Sequence, residues 1–75
     1  MFKVVIFDQA KQLYEAMASR VNLPGALGEF EVLAFHAPLI SLLRAGQIMV
    51  DGKSLPIRKG IAKMEKNELV ILVER

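Results

Sequence analysis

Asp51-Gly52 separates two short runs, Gln47 to Val50 and Lys53 to Ile57, and this junction constrains the chain more than any other feature. Two residues between two such runs form a tight hairpin, and Asp-Gly supplies the pair of positive-φ positions that a type I′ turn needs. The same grammar recurs along the sequence. Ile61 to Glu65 and Glu68 to Val73 flank a Lys66-Asn67 turn, which predicts a second hairpin. Phe2 to Phe7 is β-branched and aromatic, Arg20 to Leu23 alternates before Pro24-Gly25 stops it, and Glu29 to Leu33 alternates again. Six or seven short strands at this spacing predict a sandwich or barrel. Leu69 to Val73 departs from the alternation, being apolar at every position. Such a strand lies centrally or has its outer face covered by a partner.

One segment speaks a different language. Ala10, Leu13, Tyr14, Met17, Ala18 and Val21 recur at i, i+3, i+4, i+7, i+8 and i+11, a helical stripe over good helix formers. Local pattern alone predicts a helix from Ala10 to Ser19.

Composition narrows the function classes. Seventy-five residues make one domain, and with 53% of them apolar a core can form without staples. The absence of cysteine excludes disulfides, thiolate metal sites and a cysteine nucleophile. A net charge of +2 is too small and too dispersed for a nucleic-acid footprint. No apolar run reaches the ~18 residues of a spanning helix, and Asp8 interrupts the opening apolar run too early for a signal peptide.

Candidate chemistry is sparse. His36, the single histidine, stands between Phe35 and Ala37-Pro38, with neither a nucleophile nor an orienting carboxylate beside it in sequence. As a zinc ligand it would need companions that scattered carboxylates do not provide, so the plainer reading is a loop histidine that bonds backbone or a partner. The acids show no Asp-x-Asp or Glu-x-x-His spacing. Glu29 and Glu31 share one side of a strand, where a solvated edge is a plainer reading than a paired acid. Pro24 to Gly28 lacks the Gly-Lys-Ser/Thr ending of a phosphate loop and reads as a turn. Arg58, Lys59, Lys63 and Lys66 form a mild basic cluster, but Phe35 is the single aromatic after residue 30, so no base-stacking platform accompanies it. No catalytic residue, cofactor site or metal site is predicted.

Residues 23–46, Leu-Pro-Gly-Ala-Leu-Gly-Glu-Phe-Glu-Val-Leu-Ala-Phe-His-Ala-Pro-Leu-Ile-Ser-Leu-Leu-Arg-Ala-Gly, are far more specific. They resemble the signature of the ε subunit of F-type ATP synthases, approximately L-P-G-x-x-G-E-F-G-V-L-P-G-H-A-P-L-x-x-x-L-x-P-G. The first strand and the closing hairpin from Gly60 to Glu74 are similar to the family's as well, so the likeness spans nearly the whole chain. The departures are Glu31 for a glycine, Ala34-Phe35 for Pro-Gly, Ala45 for a proline, and Lys59-Gly60 for paired glycines.

The resemblance implies an all-β fold, a small β-sandwich of about ten short strands, in which the segment matching Ala10 to Leu23 is two strands. Cross-strand pairing overrides a helical preference worth a few tenths of a kcal/mol per residue. It also implies a non-catalytic, cofactor-free central-stalk subunit. One side would pack on the gamma subunit, and one end, with Glu29 and His36 as candidate contacts, would rest on the membrane c-ring. Such a subunit is monomeric in the complex, inserts no segment into the membrane, binds no nucleic acid, and works peripherally at the cytoplasmic face. It helps couple proton or sodium flow to ATP synthesis. Family members continue into a two-helix domain that carries inhibition and, in some bacteria, a nucleotide site; neither property is expected of residues 1–75. The alternative from another class is a small nucleic-acid-binding barrel of OB or cold-shock kind, which the size and strand spacing allow.

Overall fold

A computed structural model describes residues 1–9 and 11–75. The described residues form nine strands and no helix: β1 (Phe2–Asp8), β2 (Lys11–Ala18), β3 (Arg20–Gly25), β4 (Gly28–Leu33), β5 (Leu39–Leu43), β6 (Gly46–Val50), β7 (Lys53–Ile57), β8 (Lys59–Glu65) and β9 (Glu68–Glu74). The hydrogen-bonded order is β2-β1-β9-β8-β5-β3-β6-β7, with β4 on the edge of β3. Only Gly25↔Leu43 joins β3 to β5. That narrow join lets the sheet fold over into two layers, β2-β1-β9-β8-β5 and β4-β3-β6-β7.

The helical stripe is extended. Lys11 to Ala18 pairs antiparallel with β1, from Phe2↔Ala18 to Asp8↔Lys11, with a bulge between Ile6 and Phe7; Ala10 lies outside the described residues. Seven backbone partners along β1 offer this segment more than its modest intrinsic preference could. The strands missed by local reading are β2 and β5. Leu39 to Leu43 reads Leu-Ile-Ser-Leu-Leu, apolar on both faces, so it carries no alternation to betray it.

The inward-facing positions of the strands build the core. Phe2, Val4 and Ile6 of β1, Val21 and Leu23 of β3, Ile48 and Val50 of β6, Ala62 and Met64 of β8, and Leu69, Ile71 and Val73 of β9 meet in one core. Each larger aliphatic side chain among them contributes about 1.5–3 kcal/mol by leaving water. The Asp51-Gly52 turn has φ of 47° and 87°, both positive as a type I′ turn demands. The Asp51 carboxylate also accepts the backbone N–H groups of Ser19 (3.0 Å) and Arg20 (3.0 Å) at the corner between β2 and β3. These bonds, Ser19's first and then Arg20's, hold the Asp51 carboxyl below its ordinary value of 3.8.

Candidate docking surface

β9 is central, parallel to β1 on one side and antiparallel to β8 on the other. Its inward residues are buried, yet its outward side stays apolar. Registers across four strands set Phe7, Leu72, Ile61 and Leu42 in one outward row. The next row holds Val5, Val70, Lys63 and Ile40. Val5 is buried at 6% exposure, but no layer of the described residues covers the rest of these rows: Ile40 is 70% exposed, Leu42 64% and Leu72 49%. A shallow depression of about 480 Å³ runs along Leu42, Ile61 and Leu72, with glycine at position 60 beside it.

Ion pairs frame this patch at both borders. On one side Lys3 reaches Glu15 (3.2 Å) and Glu68 (3.8 Å), and Lys63 reaches Glu65 (3.3 Å). On the other, Lys59 (3.4 Å) and Arg58 (3.8 Å) share the Glu74 carboxylate. An apolar centre within a polar, solvated rim is the anatomy of a protein–protein interface. The exposed pairs themselves contribute little to stability.

The basic cluster read from sequence is dispersed. Arg58 and Lys59 lie at the start of β8, while Lys66 lies at the turn beyond its far end. Arg58, Lys59 and Lys63 each stand within 3.8 Å of a carboxylate. A mixed-sign surface of this kind does not make the continuous positive track of a nucleic-acid groove.

The two candidate contact residues are not brought together. Glu29 is exposed at the start of β4, opposite Pro24 and beside the tight Ala26-Leu27 connection. Here the backbone is compact of necessity, because a Cβ at Gly25 would lie 2.6 Å from the Gly28 carbonyl oxygen and 2.8 Å from the Phe30 ring. His36 follows the other end of β4, its N–H donating to the Leu33 carbonyl (3.2 Å) and its Nδ1 lying 2.7 Å from the Ala37 carbonyl oxygen. Four strand steps separate Glu29 from Leu33, about 13 Å. The alternation of Glu29 to Leu33 already implied this separation, since a strand between them holds its two ends apart.

The loop holding His36 carries a feature that local reading missed. Phe35 has φ of +61° and is 82% exposed. Its N–H donates to the side-chain oxygen of Asn67 (2.7 Å), whose amide nitrogen in turn donates to the Met1 carbonyl (3.1 Å). The glycine expected by resemblance at this position was the one available signal, since glycine in a signature often marks positive φ.

Comparison with known proteins agrees with this architecture. The family described as "ATP synthase, Delta/Epsilon chain, beta-sandwich domain" matches residues 1–75. The ATP synthase epsilon chain of Campylobacter curvus is 43% identical over 68 residues, covering 84% of this chain and 53% of the relative. The chain thus spans about half the length of such relatives, 53% and 59% for the Campylobacter curvus and Sulfurimonas denitrificans proteins. Among solved structures, a chain of the Euglena gracilis mitochondrial ATP synthase (OSCP/F1/c-ring) superposes with a TM-score of 0.85 at 22% identity, over 96% of this chain and 49% of that one. A chain of the Tetrahymena thermophila mitochondrial ATP synthase central stalk and c-ring gives 0.81 at 12% identity, over 97% and 63%. At these identities the structures attest the fold. With the family match over its whole length, the chain belongs to the delta/epsilon-chain β-sandwich family of ATP synthases.

Proposed function

We propose that these residues form a non-catalytic docking module of the central stalk in a rotary F-type ATP synthase. The module links gamma to the c-ring and helps couple ion translocation to ATP synthesis. The observation that carries the reading is the uncovered apolar face of β1, β9, β8 and β5, framed by ion pairs. Gamma is its occupant. The work is peripheral, at the cytoplasmic face of an energy-transducing membrane, with docking surfaces in place of a reaction centre.

The end of the sandwich that carries Glu29 meets the c-ring loops. Glu29 projects from the start of β4, just after the Ala26-Leu27 connection, where a carboxylate can take a charge-assisted hydrogen bond from a cationic loop. Partly solvated, that contact is worth about 1 kcal/mol and weakens with salt. His36, at the far end of β4, is the weaker of the two c-ring candidates on this geometry.

Two variants test the reading in synthase reconstituted with the full subunit. Leu72→Glu places a charge at the centre of the apolar row and is expected to abolish gamma binding. Glu29→Lys leaves gamma binding intact, lowers ATP-driven ion pumping, and leaves the melting temperature of the subunit unchanged. Undiminished gamma binding by Leu72→Glu would remove the sheet face from the interface. A large drop in melting temperature with Glu29→Lys would make that residue a structural one. His36→Ala is expected to be milder than Glu29→Lys, because it removes a hydrogen-bonding group and no charge pair.

A further inference from the structure

Phe35 combines two costs that a folded chain ordinarily avoids. At φ +61° its Cβ crowds the following carbonyl, a conformation that bulky residues rarely adopt. Asp51, Lys66 and Asn67 share positive φ, but they occupy two-residue hairpin turns that require it. Phe35 takes the third position of the turn that leads out of β4, closed by the His36 N–H on the Leu33 carbonyl, where positive φ is ordinarily left to glycine. Packing does not compensate for the strain, since the ring is 82% exposed. The backbone is nevertheless held from both sides. Asn67 accepts the Phe35 N–H at 2.7 Å and donates to Met1 at 3.1 Å, and His36 closes a turn onto Leu33. Met1 and Leu33, themselves exposed, are thereby tied to the same small region. A strained backbone that persists because its surroundings fix it is a sign of function when the side chain it presents has no role in the fold.

We propose that Phe35 is an aromatic anchor that inserts into an apolar pocket of the gamma subunit, extending the sheet-face contact onto the β4–β5 loop. The inference rests on the gamma reading above and adds a residue and a second contact region to it. Gamma, and not the c-ring, is the partner because Phe35 lies beyond the opposite end of β4 from Glu29, and its neighbour His36, already the weaker c-ring candidate, falls on the gamma side with it. The loop also leads directly into β5, whose Ile40 and Leu42 belong to the uncovered face. An aromatic ring offers a large contact area with few torsions to immobilise, and the Asn67 bonds fix its backbone before binding, so little freedom is lost in the complex. Residues of this kind dominate the energetics of protein interfaces. The signature has glycine here, which adopts positive φ without penalty; the phenylalanine therefore burdens the fold for the sake of the contact.

The discriminating variant is Phe35→Gly in the full subunit, measured by melting temperature and by binding to gamma from the same synthase, beside Leu72→Glu. Glycine relieves the strain and removes the ring. The melting temperature is expected to stay level or rise, while gamma binding weakens by roughly tenfold or more, as for an interface hot spot. Unchanged binding by Phe35→Gly, with Leu72→Glu defective, overturns the anchor and leaves the sheet-face interface standing. Unchanged binding by both variants, or no binding by the wild-type subunit, overturns the gamma reading and the anchor with it. A marked fall in melting temperature with Phe35→Gly shows that the ring serves the fold, and that outcome also overturns the anchor.

Discussion

The two layers of the sandwich have similar inner faces and opposite outer ones. Outward from β4-β3-β6-β7 the registers align Glu31, Asn22, Met49 and Ser54, with Arg20 paired to Glu31 at 3.8 Å. Outward from β1-β9-β8-β5 they align Phe7, Leu72, Ile61 and Leu42. Both layers bury the same kind of inner residue, so folding requires neither outer surface to be apolar. Water suits the first outer face and does not suit the second. One layer presents a polar, solvated outer surface, and the other leaves an apolar one without a covering layer among the described residues, the half-interface that the proposed docking requires.

The sharpest way to break this contrast is to compare adjacent residues on β9. Ile71 is fully buried and its neighbour Leu72 points outward. Ile71→Ala is expected to cost about 2–5 kcal/mol in denaturant unfolding, from lost burial and the cavity left behind. Next in size is Gly60→Ala. Its Cβ would lie 2.6 Å from the Leu72 carbonyl oxygen and 3.4 Å from Val73, so β8 and β9 must part at the centre of the apolar layer. The cost is about 1–3 kcal/mol, and a loss near zero would mean that this layer is more pliable than its pairing implies.

Asp51→Asn probes the polar layer and is expected to be smaller. Asparagine tolerates the φ of 47° and keeps an acceptor oxygen, so the change isolates the charge. Because the folded-state carboxyl titrates below its ordinary 3.8, its ionised form stabilises the fold above that value. That contribution fades as pH falls through the folded-state value. Wild type should therefore melt above Asp51→Asn at neutral pH, with the gap closing below about pH 3.8. A gap that persists in strong acid would assign the effect to geometry and not to charge. The smallest effect belongs to Leu72→Gln, about 1 kcal/mol or less in the isolated subunit, since the side chain is already half in water. A loss as large as that of Ile71→Ala would abolish the distinction between the two faces.

Much of the polar layer was legible in the sequence. Arg20 to Leu23 alternates, so period 2 alone assigns its inward residues Val21 and Leu23, both buried in the core, whereas Met49 breaks the alternation of Gln47 to Val50. Asp51-Gly52 announced its turn. The apolar layer was harder to read for the same reason that we propose it docks a partner. When both faces of a strand are apolar, period 2 disappears, and β5 left no trace while β9 could only be read as central or covered. β2 misled outright, because its helical spacing says nothing about the seven-residue partner waiting in β1.

The turns, the inward residues of the alternating strands and the absence of thiol chemistry follow from residue order alone, because turn φ values and side-chain period are properties of neighbouring residues. The resemblance in residues 23–46 added the family. Everything else waited on the tertiary fold. It set β9 parallel to β1, left Phe7, Leu72, Ile61 and Leu42 without a covering layer among the described residues, and turned Phe35 to positive φ under Asn67. Each of these depends on contacts between residues distant in the chain, and a local pattern carries no information about which distant segment will arrive to cover a face.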